Sequence, residues 1–153
     1  MLFRSRFDKR RVQWAEGGED DVSGSGAYTH MTLLAENNEG LANLYRLASL
    51  ASLEGFYYKP RIDRDLLSKF SKGIIGTTGC VGGEVSTRLR TGNYKEALKA
   101  AADFRDIFGK DNYFVEIMNH DIEVENRVKA DLLRIAKEDR KSTRLNSSHI
   151  PLS

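Results

Sequence analysis

The chain has 153 residues, 40% hydrophobic and 30% charged, with a formal net charge of +2, a composition that suits a globular domain with a core and excludes a disordered segment. No apolar run approaches the roughly 18 residues a membrane helix needs, and the N-terminus has no apolar signal core, which points to the cytoplasm and away from membrane partners. The single cysteine, Cys80, has no disulfide partner in the chain, in keeping with a reducing compartment.

Residues 6–26 read as surface: "RFDKRRVQW" is a charge run ending at Trp14, and "AEGGEDDVSGSG" is turn-like. "AYTHMTLLA", 27–35, has the aromatic and β-branched content of a strand. A turn with Asn38 as N-cap then leads into an amphipathic helix over 39–53, whose apolar stripe is Leu41, Leu44, Tyr45, Leu47, Ala48 and Ala51. "EGFYYKPRID" breaks that helix, since Gly55 stops it and Pro60 biases Lys59 away from helical angles. We expect Phe56 and one tyrosine of this loop to pack inward. Asp63 caps a short helix at 64–70, and "KGIIGTT" reads as a buried strand at 73–78.

Beyond Cys80 the pattern predicts a helix at 83–90 stopped by Gly92, then the clearest helix of the chain at 93–108, capped by Asn93 and ended by Gly109. "NYFVEIM", 112–118, is a third strand, and 122–138 closes as a helix. About three strands alternating with helices predict the α/β class with a parallel sheet, and three are too few to finish a barrel or a doubly wound sheet.

The chemistry centres on "GIIGTTGCVGGEV", with five glycines within seven positions of Cys80. A phosphate loop is excluded, because Glu84 stands where such a loop needs lysine, and no dinucleotide fingerprint is present. Three readings of Cys80 stay open on the residues alone. It is a small buried side chain, as free cysteines most often are; a nucleophile paired with His30 or His120; or a metal ligand at a strand's C-terminal end, where thiolate with imidazole favours zinc or a similar ion. His30, within a strand, more often represents a satisfied core histidine than a ligand. The bases Lys59, Arg61, Arg64, Arg88, Arg90 and Lys95 read as solvated faces.

Both ends look foreign to this pattern. The tail "DRKSTRLNSSH" resembles the translation of a sequencing-library adapter, and the head "MLFRS" resembles the opposite adapter. We therefore expect 1–5 to be an adapter-derived head, 6–138 an internal fragment of one domain, and 139–153 an adapter-derived, disordered tail. Setting the ends aside removes four basic residues and one acidic one, so the charge falls from +2 to −1 and no basic signature of nucleic-acid binding is left.

Three blocks, "YTHMTLLAENNEGLANLYRLASLASLEGFYYKPRID", "GTTGCVGGEV" and "DNYFVEIMNHDIEVENRV", together resemble the PHP (polymerase and histidinol phosphatase) domain of bacterial DNA polymerase III alpha subunits. The "TTGC" and "NYF" variants look most like the actinobacterial form. The resemblance covers essentially all of 6–138. It implies a partial, distorted β/α barrel, an incomplete domain whose complete form binds a cluster of divalent metal ions (zinc, manganese or magnesium). The family's ligands are an early His-x-His, an Asp-His pair, a Glu, a later His, a Cys and a late Asp-x-His. Matched by motif, His30 takes the place of the later His and Cys80 that of the Cys. His120 falls where the family often has histidine and is not carried over as a ligand.

The function this implies is that of a fragment of the replicative polymerase subunit. The intact PHP domain would support 3′–5′ exonuclease proofreading, with DNA and other replisome subunits as partners; the fragment itself would be inactive, its metal site unfilled. Two alternatives are a metal-free structural PHP domain that docks a separate proofreading subunit, and a stand-alone PHP phosphoesterase.

Overall fold

In the computed structural model, residues 2–4, 28–56, 59–138 and 145–146 are described. Seven short strands and five helices follow one another as β1 (Leu2–Arg4), β2 (Thr29–His30), β3 (Leu33–Ala35), α1 (Asn38–Leu53), β4 (Ile62–Asp63), α2 (Arg64–Lys69), β5 (Ile74–Thr77), α3 (Glu84–Arg90), α4 (Tyr94–Phe108), β6 (Tyr113–Glu116), α5 (Glu123–Glu138) and β7 (Leu145–Asn146). The three strands expected from the sequence are neighbours in one sheet of order β3-β5-β6-β7, and a second sheet runs β2-β1-β4. The α/β class and the partial barrel thus stand.

The sheet is mixed rather than parallel. β3 pairs antiparallel with β5, with Leu34 opposite Ile75, while β5 and β6 run parallel with Thr77 opposite Phe114. The expected single strand over 27–35 is two strands, broken at Met31 and Thr32. Met31 turns into the core at the break, so β3 stays in the sheet beside β5 while β2 leaves it. The expected surface stretch 6–26, with Tyr57 and Tyr58 of the aromatic loop, lies outside the described residues. Of the tail, Leu145–Asn146 alone is described, as a strand parallel to β6.

Helix α4 carries the core. Ala97, Ala100, Ala101, Phe104 and Phe108 line its buried face, and the rings of Phe104 and Phe108 meet Tyr113 of β6 at 5.9 Å each. Helix α5 covers the same side with Val128, Leu132 and Ile135, spaced one turn apart. The observed cap of α1 is Asn37, not Asn38: its side chain accepts from the Gly40 amide at 3.0 Å.

The buried stripe of α1 is Gly40, Asn43, Leu47 and Ala51, whereas Leu41 and Tyr45, counted inward by periodicity, are 42% and 66% exposed. The helix is rotated because Asn43 faces the turn before β5 and donates to the Lys72 carbonyl at 2.9 Å, which satisfies the buried Asn43 amide. Phe56, expected inside, is half exposed.

Candidate functional site

The break between β2 and β3 builds the site. Freed from the main sheet, β2 lies against the loop that follows β5. The His30 amide donates to the Gly82 carbonyl at 2.9 Å, and His30 bridges in parallel to Gly83. The loop itself reverses tightly: Gly79 has φ +72°, a left-handed conformation that side chains resist, and the Gly83 amide closes back on the Cys80 carbonyl at 2.8 Å. A Cβ on Gly83 would meet the Thr78 carbonyl at 2.1 Å, so no larger residue fits this closure.

Residues fifty positions apart meet as a result. Cys80 Sγ lies 3.5 Å from His30 Nδ1 and accepts from the Gly82 amide at 3.4 Å. Two donors about 2.0–2.3 Å from one tetrahedral zinc stand about 3.6 Å apart, so the separation suits a shared ion as well as a hydrogen bond. Burial holds the His30 pKa below its ordinary 6.5, and the charge of Lys59 adds to this; the neutral imidazole so favoured is the ligating form. Behind His30 the Tyr28 ring stacks at 5.9 Å. Lys59 donates to the Tyr28 hydroxyl at 3.0 Å, and Arg61 lies over its ring. Among the described residues, no third His, Cys, Asp or Glu joins the pair in a group that could hold a metal.

His120 is engaged elsewhere. Its backbone amide donates to Glu125 Oε2 at 2.8 Å, and its ring Nδ1 contacts Oε1 of the same carboxylate at 2.9 Å. Glu125, in the first turn of α5, is buried. Burial pushes its carboxyl up, and the two hydrogen bonds and charge of His120 outweigh that to leave the pKa below the ordinary value. The chain turns between the partners through Asp121, at φ 59°.

Several polar residues behave otherwise than their sequence context suggests. Glu84, noted only for displacing a lysine, is buried between two arginines: Arg64 Nη2 reaches both its oxygens at 3.2 Å, and Arg88 reaches Oε1 at 2.8 Å. Arg61 is also buried. Three of the six bases read as solvated faces are therefore built into the fold. Sequence reasoning also passed over Thr77, Thr78 and Glu116. The hydroxyl of Thr77 donates to Glu116 Oε2 at 2.5 Å, and the Glu116 amide donates to Thr78 Oγ1 at 2.9 Å. The only signal was a pair of threonines, both buried, directly before the "GC" turn.

The PHP domain family matches residues 3–120 of the chain. Among similar curated proteins, the DNA polymerase III subunit alpha of Saccharopolyspora erythraea is 51% identical over 155 aligned positions, covering 95% of the chain and 13% of that protein. The Mycobacterium leprae protein of the same name is 52% identical over 136 positions, covering 87% and 12%. That of Thermus aquaticus is 39% identical over 133, covering 87% and 10%. The chain thus spans about an eighth of the length of its more similar relatives.

Proposed function

The chain belongs to the PHP domain family, and on that premise we propose that it is part of the metal-binding domain of a DNA polymerase III alpha subunit, with His30 and Cys80 among the donors. The observation that carries the proposal is the 3.5 Å approach of Cys80 Sγ to His30 Nδ1 across fifty residues of chain. Divalent metals are general to PHP domains, and a thiolate with a neutral imidazole suits zinc or an ion of similar softness. When bound, the metal would activate a water and offset charge on a phosphate oxygen, which is the chemistry of 3′–5′ exonuclease proofreading. In that reading His30 and Cys80 hold and orient the ion, and neither acts as acid, base or nucleophile.

The same reading expects the 153-residue chain to be inactive by itself, since among the described residues His30 and Cys80 meet without a third donor, and a catalytic zinc site keeps three. It assigns DNA and the other replisome subunits as partners of the whole subunit. Nucleotide addition belongs to a different domain of that subunit.

The test is Cys80→Ser in a full-length alpha subunit carrying this segment, with bound metal and exonuclease rate on single-stranded DNA measured together. We expect bound metal to fall and the rate to drop more than about tenfold. Unchanged metal content and rate would return Cys80 to the role of a small packed side chain. A wild-type subunit that holds no metal would favour the docking role instead.

A further inference from the structure

The loop that carries Cys80 is held by a relay starting on the neighbouring strand. Glu116 is the last residue of β6, half-buried, and lines the same cleft as Cys80. Its Oε2 accepts the Thr77 hydroxyl at 2.5 Å, and Thr77 Oγ1 in turn accepts the Gly79 amide at 3.1 Å. The assignment of protons follows: the hydroxyl has one hydrogen, given to the carboxylate, so its oxygen is left to receive Gly79 N–H. A hydroxyl polarised by a carboxylate is a stronger acceptor, so the two bonds reinforce each other. The backbone clamps the same stretch, with Glu116 N–H on Thr78 Oγ1 at 2.9 Å and Thr78 N–H on the Phe114 carbonyl at 3.0 Å.

Gly79 is the left-handed residue whose turn sets the direction in which Cys80 leaves β5. We infer that Glu116, acting through Thr77 and the Gly79 amide, is a positioning residue that aims the Cys80 sulfur at His30. It makes no hydrogen bond to either donor, and its contribution is to fix the backbone angle from which the sulfur projects. Outer partners of this kind typically change metal affinity about 10–100-fold. The inference rests on the metal reading above only for that affinity; the sulfur–imidazole geometry is a separate readout.

The experiment is a Co²⁺ titration of the full 153-residue chain, following the thiolate-to-cobalt absorption band. It is paired with nuclear Overhauser contacts between the His30 ring and the Cys80 β-protons. Thr77→Val and Glu116→Leu should weaken Co²⁺ binding about tenfold and diminish the ring contacts, while Thr77→Ser and Glu116→Gln, which keep the donor and the acceptor, should preserve both. A folded Thr77→Val chain with wild-type contacts and affinity overturns the inference. If that variant fails to fold, the Gly79 amide of the wild-type chain decides: slow hydrogen exchange that Glu116→Gln preserves supports the relay, and exchange at the rate of an unprotected amide overturns it. If the wild-type chain, with its two donors, shows no cobalt band, the ring contacts in the variants decide the role of Glu116.

Discussion

The described part of the chain contains two histidines, His30 and His120, each in a loop-and-strand setting beside an acidic or thiol partner, and the fold uses them in opposite ways. His30 sits at the edge of a two-residue strand, partly buried, with its Nδ1 facing a thiol 3.5 Å away. His120 spends Nδ1 and its backbone amide on one buried carboxylate, Glu125, and so ties the end of β6 to the first turn of α5. A soft, shareable donor beside His30 leaves room for an ion. A carboxylate that grips both the ring and the backbone of His120 makes a closure, the helix-start equivalent of a cap. Residue type alone therefore says little about a histidine's work; the partner that its backbone path brings to it says most.

The contrast can be broken from below. Glu84→Ala should have the largest effect on stability, about 3 kcal/mol by urea denaturation, because it removes the buried carboxylate that Arg64 and Arg88 share and leaves them only the longer contacts to Asp103 and Glu96. The two arginines are 20% and 24% exposed, which keeps the expectation at the lower end of the range for buried pairs. A loss under about 1 kcal/mol would mean that solvent screens the cluster and that α3 is anchored by Val85 and Leu89 alone.

Glu125→Gln comes next, at about 1–2 kcal/mol near neutral pH, and it carries a pH signature. The folded pKa of Glu125 lies below its ordinary 4.5, so the unfolded chain takes up the proton first. The stabilisation is complete above 4.5 and is lost as pH falls through the folded value. The variant should lack that part of the acid loss; an unchanged acid limb would show that the His120 contact contributes nothing to stability. Tyr94→Phe should matter least, under about 1 kcal/mol. The hydroxyl, pushed up to about 12 by burial and by Glu138, only bridges the exposed sides of α4 and α5. A larger loss would show that those helices depend on that bridge.

Much of this was legible in the sequence where one periodic element decides the outcome. The helices at 93–108 and 122–138 match α4 and α5 closely because a long apolar stripe averages over local exceptions. The strands β2 and β4 have two residues each and no periodicity to read, so the break at Met31 that frees His30 was invisible. The face of α1 was misjudged because Asn43 is buried by a specific hydrogen bond to Lys72, while Leu41 and Tyr45 stay outside. At the site, residues alone left Cys80 open between packing, nucleophile and ligand; the resemblance paired it with His30, and proximity across fifty residues needed the fold. Glu116 escaped notice because its link to Cys80 runs through a threonine hydroxyl and a backbone amide, neither of which leaves a mark in composition.

The decisive measurement compares the histidines directly: a Co²⁺ titration of the full chain against His30→Ala, Cys80→Ser and His120→Ala, each read by the thiolate-to-cobalt band. We expect weak binding in the parent chain, no band in Cys80→Ser, an affinity lowered more than about tenfold in His30→Ala, and no change in His120→Ala. A band that survives Cys80→Ser, or one that His120→Ala weakens while His30→Ala does not, would contradict the pairing of His30 with Cys80 around a metal.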